Sequence, residues 1–173
     1  MHEGARNLEW VNRAVHKGLL SIFRRLPRRA RVLATHALAP EFTVGTLCVI
    51  TRDDGAILLL QHSYRARWGV PGGLLNRHEA PTTAAAREVL EETGLAITLV
   101  GQPEVIVDPK TRRVDLIYAA TPVAGCDTTK VRPLSAEITE VRWFGTGNLP
   151  PLQGETAAAL FALERRRVER ARF

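Results

Sequence analysis

The sequence predicts an α/β chain, folded as an α/β/α sandwich and preceded by an N-terminal helical arm. Three observations point there. From Phe42 onward the apolar period changes from three-and-four spacing to runs rich in β-branched residues. A helix bounded by Pro81 and Gly94 sits inside that series of strands, and a second helical segment closes the chain at 154–170. With 173 residues, 45% of them hydrophobic and 24% charged, the chain suits one ordinary globular domain with its own core.

The elements follow in order. Residues 1–40 form a basic arm. Leu8, Val11, Val15, Leu19, Ile22, Phe23 and Leu26 recur at intervals of three and four, which marks an amphipathic helix ended by Pro27. A shorter helix is expected from Arg28 to Leu38, before Pro40, with the cluster "RRLPRRAR" joining the two. The domain proper is expected at 41–173. "FTVGTLCVIT" and "AILLLQ" read as strands, and Asp53-Asp54-Gly55 between them reads as a hairpin turn. Residues 97–108 and 113–121 read as two further strands joined by "DPKTRR", and another is expected around Glu140 to Phe144. In the closing helix Ala158, Leu160 and Phe161 are apolar, and Arg165 to Arg167 stand near its end, where cations suit the helix dipole.

Charge narrows the function classes. The net charge of +6 equals that of residues 1–40 alone, which hold eight Lys/Arg and two Glu. Residues 41–151 carry −2 and residues 152–173 carry +2, so the domain is close to neutral and its pI is no argument for nucleic-acid binding. The arm's apolar stripe is expected to pack on its own domain first, to make a homodimer contact second, and to meet an anionic membrane surface third. No apolar run approaches the roughly 20 residues that span a bilayer. Glu3 and Glu9 interrupt any secretory leader. Cys48 and Cys126 are only two, far apart, and form neither a disulfide framework nor a zinc motif, so a cytoplasmic setting is expected.

The chemistry concentrates in "GGLLNRHEAPTTAAAREVLEETGL", residues 72–95. Pro81 suits a first helical position and Gly94 a C-terminal stop. Glu88, Glu91 and Glu92 stand at i, i+3 and i+4 and therefore share one helix face. Ala84 is placed on that face, leaving room for a ligand, while Ala86, Val89, Leu90 and Thr93 are expected to face the core. Clustered carboxylates repel one another, and a hard divalent cation with oxygen ligands answers that repulsion. A solvated acidic face is the bland alternative. The glycines before the helix weigh against it, because they let backbone approach a ligand closely.

The same segment resembles the Nudix box, G-x5-E-x7-R-E-U-x-E-E-x-G-U with U aliphatic. Gly73, Glu79, Arg87, Glu88, Val89, Glu91, Glu92, Gly94 and Leu95 fill every fixed position in order, across 23 of the 173 residues. Weaker similarity runs from "RWGVPGG" to "EITEVRWFGTGNLP". Asn76 stands where Glu is frequent in the family, and His78 where Gly is frequent. The resemblance implies a Nudix sandwich with a mixed sheet and water attack on a nucleotide phosphoanhydride, supported by Mg²⁺, with Mn²⁺ the second candidate. It implies metal ligation by Glu88, Glu91 and Glu92 with the Gly72 carbonyl, and a supporting place for Glu79. Arg87 is expected to orient a neighbouring carboxylate. For the general base the candidates are Glu88 and a glutamate after the box, with Glu137 preferred to Glu140. Arg65 and Arg67 are the candidate phosphate contacts. Trp68 and Trp143 are expected in the core, and His62 and His78 carry no specific signal.

The leading functional expectation is hydrolysis of a nucleoside diphosphate derivative of the ADP-ribose or sugar-nucleotide type. The alternatives are a sanitising hydrolase of oxidised nucleoside triphosphates and a non-catalytic nucleotide-sensing module. An isomerase acting on prenyl diphosphates shares the implied fold, but Cys48 in "GTLCVIT" is not in the setting its chemistry needs.

Overall fold

The computed structural model describes residues 24, 26–31, 33 and 41–172. The chain divides into two compact units, Met1–Glu41 and Phe42–Phe173. In the first, residues 28–31 and 33 are helical, and the Arg31 N–H donates to the Pro27 carbonyl at 3.0 Å. Of the helix expected over residues 8–26, only Arg24, which is helical, and Leu26 are described, and the rest of it and of the one expected over 28–38 lie outside the described residues.

The second unit has seven strands and two α-helices. The strands are β1 (Thr43–Ile50), β2 (Ile57–His62), β3 (Trp68–Gly69), β4 (Gly72–Leu74), β5 (Ile97–Asp108), β6 (Arg113–Pro122) and β7 (Ile138–Phe144). The helices are α1 (Pro81–Thr93) and α2 (Gly154–Arg170). A four-stranded mixed sheet runs β4-β1-β6-β5, with β1 parallel to β6 and the other two pairings antiparallel. A three-stranded antiparallel sheet runs β3-β2-β7.

Strands β1 and β2 read as unbroken apolar runs because both of their faces are covered. Cys48, Ile50, Leu58 and Leu60 point to one side and pack with Ala85 and Val89 of α1. Leu47, Val49, Ile57 and Leu59 alternate to the other side and pack with Ala159 of α2. Each fully buried Leu or Val contributes roughly 1.5–3 kcal/mol relative to exposure. Trp68 meets Phe144 edge-on at 4.8 Å, and the Trp143 Nε1–H donates to the Thr128 carbonyl at 2.9 Å, so both tryptophans serve packing.

Two local expectations are corrected. Asp53-Asp54-Gly55 does make a tight turn, with Gly55 at φ 82° and the Arg52 N–H on the Ala56 carbonyl at 2.9 Å. The strands it joins nevertheless enter different sheets, with a bridge between Thr51 and Ile57 beside the turn. The helix α1 is also rolled relative to the face expected for it. Ala84 is fully buried rather than open to a ligand, and Leu90, assigned to the core, is 51% exposed.

Candidate active site

Helix α1 begins with Pro81 at its first turn, where a missing N–H costs nothing, and ends at Gly94 in the left-handed region, φ 73°. Its roll carries Glu92 inward. Glu92 is 8% exposed and accepts a 3.0 Å hydrogen bond from the Gly72 N–H, which ties the helix to β4. Burial pushes the Glu92 carboxyl up to about 8, against the pull of the Gly72 N–H and with added repulsion from Glu88, Glu137 and Glu91. Glu91, by contrast, has a side chain 58% exposed, and Glu88 lies between the two at 17%.

Arg87 organises the rest. Its Nε and Nη2 donate to the two oxygens of Glu79 at 2.8 and 2.9 Å, a bidentate fork. Its Nη1 donates to Glu88 at 2.8 Å and Glu91 at 3.1 Å, and Nη2 also reaches the Leu74 carbonyl at 3.2 Å. The Arg87 fork and the Asn76 N–H hold the Glu79 carboxyl down at about 2, and the Glu79 fork raises Arg87 further above its ordinary value. The loop between β4 and α1 is closed by this pair. Within it His78 takes φ 64°, a conformation that suits glycine.

Glu88, Glu91 and Glu92 line a cavity of about 460 Å³ together with Gly72, Gly73 and Glu137. Glu137 occupies the turn just before β7, and its carboxylate accepts from the Tyr64 hydroxyl at 3.2 Å. Glu140 lies within β7, is ion-paired with Arg142, and does not line this cavity. Arg65 reaches the cavity wall, where its Nη1 donates to Gln153 at 2.9 Å and to Glu155 at 3.3 Å. Arg67 is exposed and absent from the lining, and its carbonyl accepts from Gln153 at 2.9 Å. Glu79 is not among the lining residues and is engaged with Arg87. His62 is on the wall, whereas His78 is not.

Tyr64, Arg113, Gln153 and Glu155 also line the cavity, and sequence reasoning missed all four. Only Arg113 and its partner Asp115 carry a local signal, as charges alternating into the apolar strand β6.

The donor set fits a hard divalent cation. Four carboxylates line one cavity where the backbone is glycine, and a Cβ on Gly73 would lie 2.4 Å from the Glu88 carboxyl carbon. Glu88 and Glu91 are turned toward the Arg87 guanidinium, and among the described residues no three His, Cys, Asp or Glu side chains meet closely enough to hold one ion in that arrangement.

A model of the NUDIX domain matches residues 41–163. The chain belongs to the Nudix family. This Nudix chain is 31% identical over 124 residues to a MutT-like protein of Streptomyces ambofaciens, covering 72% of this chain and 75% of that one. A crystal structure of a NUDIX hydrolase from Nitrosomonas europaea matches with a TM-score of 0.64 and 24% identity, over 75% of this chain and 74% of that one. The NUDIX domain of Shewanella oneidensis NrtR, crystallised with ADP ribose, matches with a TM-score of 0.62 and 19% identity, over 82% of this chain and 99% of that one. Both likenesses are of fold. The Nudix domain is thus that of a phosphoanhydride hydrolase, from a family that acts on nucleotide derivatives and generally uses divalent metals. Among the described residues no helix is long and apolar enough to cross a membrane.

Proposed function

We propose that this Nudix protein hydrolyses a phosphoanhydride bond in a nucleoside diphosphate derivative of the ADP-ribose or sugar-nucleotide type. The observation that carries the reading is that Glu88, Glu91, Glu92 and Glu137 line one cavity beside Gly72 and Gly73. Glu88, Glu91, Glu92 and the Gly72 carbonyl would hold Mg²⁺, or Mn²⁺ in its place. When bound, the ion neutralises diphosphate oxygens and lowers the pKa of a coordinated water.

The protein's own groups do the rest. Glu137, on a turn and facing the cavity, accepts the proton of the attacking water. Its bond from Tyr64 limits the orientations it can take. Arg87 sets the carboxylates of Glu88 and Glu91 and anchors the loop through Glu79. Arg65 and the guanidinium of Arg113 supply positive charge at the wall, where phosphate oxygens need it. Hydrolysis of oxidised nucleoside triphosphates is the second reading, since the same carboxylates serve a β-γ or α-β bond.

The test is turnover with Mg²⁺ on a panel containing ADP-ribose, ADP-glucose, dGTP and 8-oxo-dGTP. Release of nucleoside monophosphate from the sugar-linked substrates is expected. Specific hydrolysis of 8-oxo-dGTP would favour the second reading, and binding without turnover of any member would favour a sensing module.

A further inference from the structure

A second cavity of about 370 Å³ adjoins the carboxylate cavity and shares Leu47, Arg113 and Glu155 with it. Its floor follows from strand register. Along parallel β1 and β6, Gly45 lies opposite Asp115 and Leu47 opposite Ile117. Along antiparallel β5 and β6, Asp108 lies opposite Arg113 and Ile106 opposite Asp115. Residues opposite one another share a face, and so do residues two apart on one strand. Arg113, Asp115 and Ile117 therefore form one row, flanked by Ile106 and Asp108 on one side and Leu47 on the other. The first turns of α2, through Glu155 and Ala158, make the facing wall.

Within this row Asp115 is a carboxylate only 8% exposed. The Nε of Arg113 donates to both of its oxygens, at 2.8 and 2.9 Å. Among the described residues no hydrogen bond leaves the Nη nitrogens of Arg113, so they remain available to a ligand. Gly45 makes room for the pair, since a Cβ there would sit 2.8 Å from Asp115 Oδ1 and 3.0 Å from Arg113 Nη2. A guanidinium aimed by a buried carboxylate thus stands on the boundary between two cavities. Beyond it the second cavity holds apolar side chains and two further carboxylates, Asp108 and Glu155.

We infer that the second cavity is the subsite for the X group of the substrate, that X is a hydroxyl-rich, sugar-like group, and that Arg113 holds the phosphate nearest to it. This deepens the proposed function and rests on it. Ionised carboxylates are acceptors only: Asp108 already accepts from the Lys110 and Thr111 N–H groups and the Thr111 hydroxyl, and Glu155 accepts from Arg65, so sugar hydroxyls would fill the lone pairs that remain. The C–H faces of a sugar ring pack on Ile106 and the exposed edge of Leu47, above the fully buried Ile117. A third phosphate carried into the same space would face Asp108 and Glu155 at close range, so the cavity selects against nucleoside triphosphates.

Arg113→Gln strands a buried carboxylate and can fail to fold, so the test uses Ala158, which is exposed on α2. Ala158→Phe narrows the second cavity and leaves the carboxylates and the Arg113–Asp115 pair in place. Steady-state hydrolysis of ADP-ribose, ADP-glucose and dGTP is measured with Mg²⁺ for both proteins, and metal-free binding of ribose 5-phosphate is measured by calorimetry. The wild type is expected to prefer the sugar diphosphates over dGTP at least ten-fold in kcat/KM. In Ala158→Phe that ratio drops at least ten-fold and ribose 5-phosphate binding is lost. An unchanged ratio in a folded Ala158→Phe protein, or equal ribose 5-phosphate binding by both proteins, overturns the inference. Hydrolysis with no sugar preference overturns it while leaving the hydrolase reading intact. Failure to cleave any phosphoanhydride sinks the hydrolase reading instead, and the calorimetry still decides the subsite.

Discussion

Gly73→Ala isolates one contact of the candidate site. A Cβ at this position would lie 2.4 Å from both Cδ and Oε1 of Glu88 and 2.5 Å from Oε2. Carbon atoms in non-bonded contact prefer roughly 3.5–4.0 Å. The Glu88 carboxylate must then retreat by about 1 Å or more, out of its 2.8 Å bond to Arg87. Gly73 is not among the positive-φ glycines, so alanine meets no backbone strain there. The retreating group is also the end of a flexible side chain, so stability should change by less than about 1 kcal/mol. Displacing a positioned catalytic group by 1 Å costs on the order of 100-fold in rate, equivalent to about 2.7 kcal/mol. The assay is kcat and KM with saturating Mg²⁺, alongside a thermal melt. Gly72→Ala is the contrast, because its Cβ would lie 2.1 Å from the Thr46 carbonyl oxygen, where only backbone could yield. That variant should be grossly destabilised. A folded Gly73→Ala protein with wild-type kcat would refute the placement of Glu88 in the catalytic centre.

Three further outcomes are expected. Glu92→Gln should abolish most metal-dependent hydrolysis and, in EDTA, should be more stable than the wild type at pH 9. The folded wild-type carboxyl is raised from 4.5 to about 8, so its contribution to stability is fully present below 4.5 and is lost as pH rises through 8. Denaturant titrations at pH 5 and pH 9 that show no such widening gap would contradict this. Glu137→Gln should lower kcat more than it raises KM, and Glu140→Gln should do neither, since Glu140 faces Arg142 outside the cavity; a larger loss at Glu140 reverses the assignment. His78→Gly should raise the melting temperature by about 2 °C, because a left-handed non-glycine residue costs roughly 1–2 kcal/mol and glycine's own entropy returns about half of that. A lower melting temperature would mean that the His78 side chain supports the loop.

Elements whose boundaries are set by local chemistry were legible in the sequence. Pro81 and Gly94 bound α1, and the expected limits of α2 and β5 match those observed. What failed depended on partners far along the chain. An Asp-Gly turn reports how the backbone reverses, and nothing in it states that β1 and β2 join different sheets. The roll of α1 was misjudged because polarity assigns every glutamate to the outside, whereas Glu92 is drawn inward by the Gly72 N–H twenty residues earlier. Glu88, Glu91, Glu92 and Glu137, singled out because they are close in sequence to the motif or to a strand start, do line one cavity. Tyr64, Gln153 and Glu155 were not, because a cavity wall assembled from a loop after β2 and the first turn of α2 leaves no mark on either segment alone.

The guanidinium of Arg87 has a consequence for the protein's life before any cation arrives. Its donors engage Glu79, Glu88 and Glu91 at once, so the acidic cluster carries an internal counter-charge. Under the proposed reading, a divalent ion would have to draw Glu88 and Glu91 away from that guanidinium before they could hold it. Loading would then be a rearrangement of side chains on a fold that already stands, and the amount of folded protein would not depend on the cation.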